Sequence, residues 1–291
     1  MHILLGFSAM FALTLSACGA QPVAKQMVVT RAVASASDQA AAYDWRTELH
    51  WVQVPESPWG GSNQGSTYLT DVMNHTTDRF ESAEPPTNGH ESMHGLLNQM
   101  NNLTGDSDQF VYWKEGKGAY VMEPLLHASH IKEYLPEGAR QITQSRHDLY
   151  LVEQVAAYFP NVLYQFDEWN AYVTGATVAT EIFRAGQWND GGTDAVDGAM
   201  DFVYFASAAA LALQENEPNY IATNDQFKAA YAMLAERSIE MVNAGVTMEP
   251  FSGFHAAELK QHFVSSPENQ RIRTMLSRWL GARWTQRVFG F

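Results

Sequence analysis

Two histidines four residues apart, His90 and His94, with Glu91 directly after the first, can act together only if residues 90–94 are helical. In an α-helix such residues stand one above the other about 6 Å along the axis. Both imidazoles can then grip one metal ion. Glu91, one step round the helix, can reach a water on that metal without ligating it. The flanks agree with a helix. Thr87-Asn88-Gly89 offers a capping Thr or Asn, and Leu96, Leu97 and Met100 supply an apolar face. Pro85-Pro86 does not belong in a helix interior, so the pattern predicts a helix from near Asn88 to Asn101.

The chain begins with an apolar run, Ile3 to Leu15, too short to span a bilayer. The run ends in Leu15-Ser16-Ala17-Cys18, which resembles the lipobox of bacterial lipoproteins. The resemblance implies removal of residues 1–17 and a membrane anchor through lipidated Cys18. The leader departs from the usual pattern in having His2 but no Lys or Arg before its apolar run, and an ordinary secretory signal cut near position 20 is the competing reading. Gly19 stands where an Asp would signal inner-membrane retention. The resemblance therefore implies the outer membrane of a Gram-negative cell, facing the periplasm or the surface. Cys18 is the only cysteine, so the body has no disulfide and no thiol ligand or nucleophile.

The formal net charge is -14, and the first 17 residues carry none of it. Such an acidic chain is a poor partner for nucleic acid. The last 21 residues differ, with Arg271, Arg273, Arg278, Arg283 and Arg287 and no acid. Interleaved with Leu276, Trp279, Leu280 and Trp284, they read as a basic amphipathic helix docking on an acidic body. With 46% hydrophobic residues the chain can bury a substantial core. Residues 18–42 suit a flexible tether, which leaves residues 43–291 as the folded body.

Within that body Leu49 to Val54 reads as a strand, followed by a Pro/Gly/Ser-rich loop from Pro58 to Ser66. After the motif helix, Phe110-Val111-Tyr112-Trp113 and Ala119-Tyr120-Val121-Met122 form a hairpin signal across Glu115 to Gly118. Beyond Pro124 the pattern turns helical, with helices expected near 143–158, 161–185, 193–215, 223–244 and 255–281. The fold class is α+β, mainly α. A small strand-bearing part (43–142) carries the motif helix, and a helical part (143–291) follows.

A catalytic metal of this kind needs a third protein ligand and an open position. His90-Glu91-Ser92-Met93-His94 resembles the H-E-x-x-H motif of zincin metallopeptidases, and the resemblance implies zinc and a zincin-like catalytic region. Leu97 and Met100 occupy the positions where metzincins carry Gly and the third His, so the chain departs from that group. The gluzincin pattern implies a Glu on a downstream helix instead. Glu168, in Phe166-Asp167-Glu168-Trp169-Asn170-Ala171-Tyr172, is the candidate, with Asp167 as its competitor. Tyr172, four residues on and on the same face, could donate a hydrogen bond to a developing oxyanion. The family's second-shell Asp, four residues past the Glu ligand, is replaced here by Tyr172. Acids in a helix's first turn are also favoured on dipole grounds alone.

Other constellations compete less well. His127 and His130 beside Ile131 read as surface-helix residues, and Arg146-His147-Asp148-Leu149-Tyr150 offers a further transition-state donor. His255 and His262 flank Glu258, but Leu259 breaks the inverted motif H-x-x-E-H. Asp190, Asp194, Asp197 and Asp201 lack the alternation of a calcium loop. Around Ser252 no nucleophile elbow forms, since Pro250 and Phe254 hold the glycine positions. The expectation is a lipid-anchored zinc metallopeptidase acting on a peptide or protein. Its metal site is His90, His94 and Glu168, and Glu91 activates the zinc-bound water. The hairpin edge is the expected place for an extended substrate to pair, and a non-protein amide such as a cell-wall cross-link is a narrower substrate possibility. The alternative is a non-catalytic envelope lipoprotein, a binding or scaffold module with a coincidental motif.

Overall fold

A computed structural model of the chain describes residues 42–58, 60, 65–104, 108–157, 160–189, 192–251 and 255–291. The expected leader, Cys18, the tether up to residue 41 and Ser252 lie outside the described residues. The fold is mainly helical with one small three-stranded antiparallel sheet. In chain order its elements begin with α1 (Trp45–Glu48), β1 (Val52–Gln53), α2 (Thr67–His75) and α3 (Pro85–Asn101). The hairpin β2 (Asp108–Lys114) and β3 (Lys117–Met122) follows, then the short helices α4 (Glu137–Ile142), α5 (Gln144–His147) and α6 (Gln154–Ala157). The long helices α7 (Tyr164–Arg184), α8 (Ala195–Asn216) and α10 (Asp225–Gly245) form the centre, with α9 (Pro218–Thr223) between the last two. The chain ends in α11 (Ala256–Ser265), α12 (Gln270–Leu280) and α13 (Ala282–Val288).

The motif helix begins three residues earlier than the sequence suggested. Pro85 and Pro86 are its first residues, with Glu84 at the cap. The first amides of a helix have no intrahelical acceptor, so a proline costs nothing there and its fixed φ suits the turn. Asn88 is buried inside the helix instead of capping it. Its Oδ1 accepts from Ser82 N and Oγ at 2.6 and 2.7 Å, which ties down the incoming loop.

The hairpin is also tighter than expected. Glu115 and Gly116 alone make the turn, both with positive φ (54° and 67°), the geometry that matches the twist of the flanking strands. Its register pairs Phe110 with Tyr120 and Tyr112 with Gly118. The strand expected over 49–54 is reduced to Val52–Gln53, the two residues that pair with Gly118 and Lys117 at the start of β3.

Of the helices expected downstream, 161–185 and 193–215 correspond to α7 and α8. The segment expected as one helix at 143–158 is α5, a π-helical stretch at Asp148–Glu153 and α6. The one expected at 255–281 breaks at Ser266-Pro267, where the residue before proline is extended (ψ 134°). The basic tail docks on the body: Arg271 and Arg287 pair with Glu215 and Glu236, and Trp284 is fully buried.

Two apolar cores are present among the described residues. The larger gathers Phe166, Trp169, Phe202, Phe205, Phe227 and Tyr231 from α7, α8 and α10. Helix α8 is apolar and long enough to cross a membrane, yet every residue from Ala195 to Leu213 is buried in this core. The smaller core takes Met93, Leu96, Leu97 and Met100 from α3, with Leu69 of α2 and Phe110 of β2. Helix α7 serves both, turning Ala171, Val178 and Ile182 to the smaller core. It therefore lies directly against α3, whose opposite face is left polar.

Candidate metal centre

Two glycines let α3 and α7 approach closely. A Cβ on Gly89 would stand 2.9 Å from Val178 Cγ2, and one on Gly175 would stand 3.2 Å from the Pro86 carbonyl oxygen. At this crossing His90, His94 and Glu168 converge, with one ligand atom from each lying within 4.8 Å of the others. The Nε2 atoms of His90 and His94 are 3.2 Å apart, and Glu168 Oε2 is 3.6 Å from His94 Nε2 and 3.9 Å from His90 Nε2. Ligands at 2.0–2.2 Å in a tetrahedral shell are about 3.3–3.6 Å from one another. The three atoms thus sit almost where one face of such a shell requires, and together they could hold a metal ion.

The burial of Glu168 supports this. The residue is 7% exposed, and its Oε2 has no hydrogen-bond partner, whereas Oε1 accepts from Tyr164 Oη at 2.6 Å. A buried carboxylate oxygen left bare is costly unless something positive faces it. A cation between the imidazoles would be that something.

Asp167, the sequence's competing ligand, has a different position. Its Oδ1 accepts a short hydrogen bond from His94 Nδ1, and its Oδ2 accepts from Gln109 Nε2 at 3.1 Å. Holding the proton on Nδ1 frees the Nε2 lone pair of His94 to face His90 and Glu168. The two imidazoles titrate oppositely. Burial, helped by the charge of His94, pushes His90 down to about 4. Burial also opposes charge on His94, but its hydrogen bond to Asp167 and the nearby Glu168 carboxylate outweigh this and raise it well above the ordinary histidine value.

A cleft of about 640 Å³ opens on the three residues, and a second cavity of about 250 Å³ lies beside it. His90, Glu91 and Tyr150 line both. Glu91 is exposed and points no ligand atom into the group formed by the histidines and Glu168. Tyr150 comes from the π-helical stretch, whose extra residue per turn re-aims side chains. Its hydroxyl is 2.9 Å from that of Tyr172. Tyr172 lines the second cavity, and its ring meets His90 edge-on at 4.6 Å between centroids. The Arg146 guanidinium lies 5.2 Å from that ring and is held by Asp201 and Asp194 at 2.8 and 2.5 Å. Burial raises both tyrosines above the ordinary phenol value, so both stay protonated near neutrality.

The remaining sequence candidates lie elsewhere. His127 accepts from Ser129 N at its own 3-10 turn, and His130 stands 3.7 Å from Glu133 on the surface. His147 pairs with Asp148 and His262 with Glu268. Asp197 caps α11 through the amides of His255 and Ala256, and Asp201 takes Arg146 and His255. The carboxylates of Asp197 and Asp201 are thus taken up by amides, a guanidinium and an imidazole, and Asp190 lies outside the described residues.

The edge of β2 is closed to an incoming strand. Phe110 N donates to Asn101 Oδ1 at 2.6 Å, and its carbonyl accepts from Gln109 Nε2 at 3.2 Å. Tyr112 N and O are both held by the Asn170 carboxamide, at 2.6 and 3.0 Å. Sequence reasoning missed Tyr164, although its place four residues before Glu168 on one helix face was available as a signal. It also missed Gln109, which reaches the site only through the hairpin's tertiary placement. The chain matches no known family model, no curated protein and no solved structure.

Proposed function

We propose that this chain is a zinc-dependent peptidase of the zincin type, with His90, His94 and Glu168 as the metal ligands. The observation that carries the reading is the bare, buried Glu168 Oε2 facing the two Nε2 atoms within 3.6–3.9 Å. A nitrogen-nitrogen-carboxylate set with one side open to a cleft suits zinc as a catalytic rather than a structural ion. When bound, zinc would polarise the scissile carbonyl and make water beside it more acidic.

The protein's own groups supply the rest. Glu91, exposed at the junction of the two cavities, takes a proton from the attacking water and hands it to the leaving amine. Tyr150, protonated and lining both cavities, donates to the oxygen that gains charge as the carbonyl is attacked. Tyr172 supports it through the shared hydroxyl contact and packs against His90. In this reading the oxyanion role moves from Tyr172 to its partner. Asp167 fixes the tautomer of His94, and Tyr164 orients Glu168. The lipobox-like Leu15 to Cys18 supports placing the enzyme at the envelope on a lipid anchor.

Metal analysis of purified protein is the test. Near-stoichiometric zinc is expected in the wild type, and loss of it in His94→Ala and in Glu168→Ala. Glu91→Gln is expected to keep zinc and lose about 10²–10⁴-fold in peptide turnover. Protein that stays zinc-free when zinc is offered, or full activity in Glu91→Gln, would overturn the reading.

A further inference from the structure

Ligand clefts are mostly apolar, with a few polar groups to fix orientation. This one is unusual in being lined by five carboxamides, Asn98, Asn101, Gln109, Gln154 and Asn161, and by four carboxylates. The acids are Glu91, Glu123, Asp167 and Glu168, and among the described residues neither Lys nor Arg lines the cleft. Metal binding needs neutral imidazoles. Four carboxylates against a divalent ion then leave two negative charges in excess. The chain's overall charge of -14 adds to the same field.

The carboxamides point to how a substrate is held. Asn101 and Asn161 turn their oxygens to the amides of Phe110 and Leu163, at 2.6 and 2.7 Å, which leaves their NH₂ groups for a ligand. The closed edge of β2 cannot supply main-chain hydrogen bonds, and side-chain amides are the groups that can replace them.

We propose that the cleft takes peptide segments bearing Lys or Arg and discriminates against acidic ones. The proposal rests on the peptidase reading for its substrate type. Its charge selectivity follows from the lining alone. An anionic segment would meet excess negative charge with no basic partner.

The test is binding of two fluorescent peptides with blocked termini and matched length to the zinc-loaded full chain carrying Glu91→Gln, which stops turnover and keeps one of the two excess charges. One peptide is rich in Lys, Arg and Ser, and the other in Glu and Ser. The cationic peptide is expected to bind at least about tenfold tighter than the acidic one, with the gap narrowing in 0.5 M salt. Adding Glu123→Gln should cut the preference for cationic over acidic by about two- to fivefold. Equal or tighter binding of the acidic peptide, or a preference untouched by Glu123→Gln, overturns the proposal. Turnover of the same peptides by wild type separates the two readings. Cleavage without charge preference sinks the selectivity alone, and charge-selective binding without cleavage sinks the peptidase.

Discussion

Asp167 and Glu168 are neighbours in the chain, yet they serve opposite sides of one histidine. Successive helical residues are set about 100° apart, so Glu168 turns to the Nε2 atoms while Asp167 reaches His94 Nδ1 from behind. Asp167→Asn should therefore leave a site that still binds zinc, with affinity about 10–100-fold lower in competition with a chromophoric chelator. Unchanged affinity would remove Asp167 from the metal's support. The two tyrosines are separable in the same way. Tyr150→Phe should lower kcat about 10²-fold with zinc retained, and Tyr172→Phe should cost much less; the reverse order would return the donor role to Tyr172. At this scale His90, Glu91 and His94 were legible because their chemistry lies in local spacing. The choice of Glu168 over its neighbour Asp167 was legible only through the family resemblance, because which of two adjacent acids turns to the Nε2 atoms depends on the rotation of α7 against α3.

Helix α3 owes its seat to small residues more than to helix propensity. Exchanging Gly95 for Ala in an exposed helix would gain about 1 kcal/mol. Here the new Cβ would fall on the carbonyl oxygen of Asp78, a backbone atom that cannot swing away. Gly95→Ala should instead lower stability by about 1–3 kcal/mol in urea unfolding, and a stabilised variant would refute the packing argument. Elements with a clear period were readable: α7, α8 and the hairpin stand close to where their patterns put them. The misreadings came from proline and from the π-helical stretch. Pro85-Pro86 reads as a bar to a helix and is its start, while Pro267 breaks the helix that the pattern predicts over 255–281. Nothing in the pattern of residues 148–153 announces the wider turn that delivers Tyr150 to the cleft.

At the scale of the whole molecule, a charged network clamps α8 to α11 and to the segment before the π stretch. His255 lies 2.7 Å from Asp201 and 3.3 Å from Asp197, with Arg146 on the far side of Asp201. Burial opposes the charge on His255, but Asp201 and then Asp197 overcome it and raise its pKa. A histidine raised in the folded state lends stability that is complete below its unfolded value, about 6.5. That stability fades as pH climbs through the folded value. His255→Gln should thus cost about 1–2 kcal/mol at pH 6 and less at pH 9 by thermal unfolding; a cost that grows with pH would contradict the pairing. The acids of this network were visible in the sequence, but their partners come from segments more than 45 residues away in the chain. The closed edge of β2 has a consequence at this scale too. An open sheet edge is a template on which a second molecule can add its own strand, and proteins at high local density are the most exposed to that hazard. With Phe110 and Tyr112 already bonded to Asn101, Gln109 and Asn170, this sheet offers no such template there, so crowding at a surface would not drive these molecules to polymerise through β2.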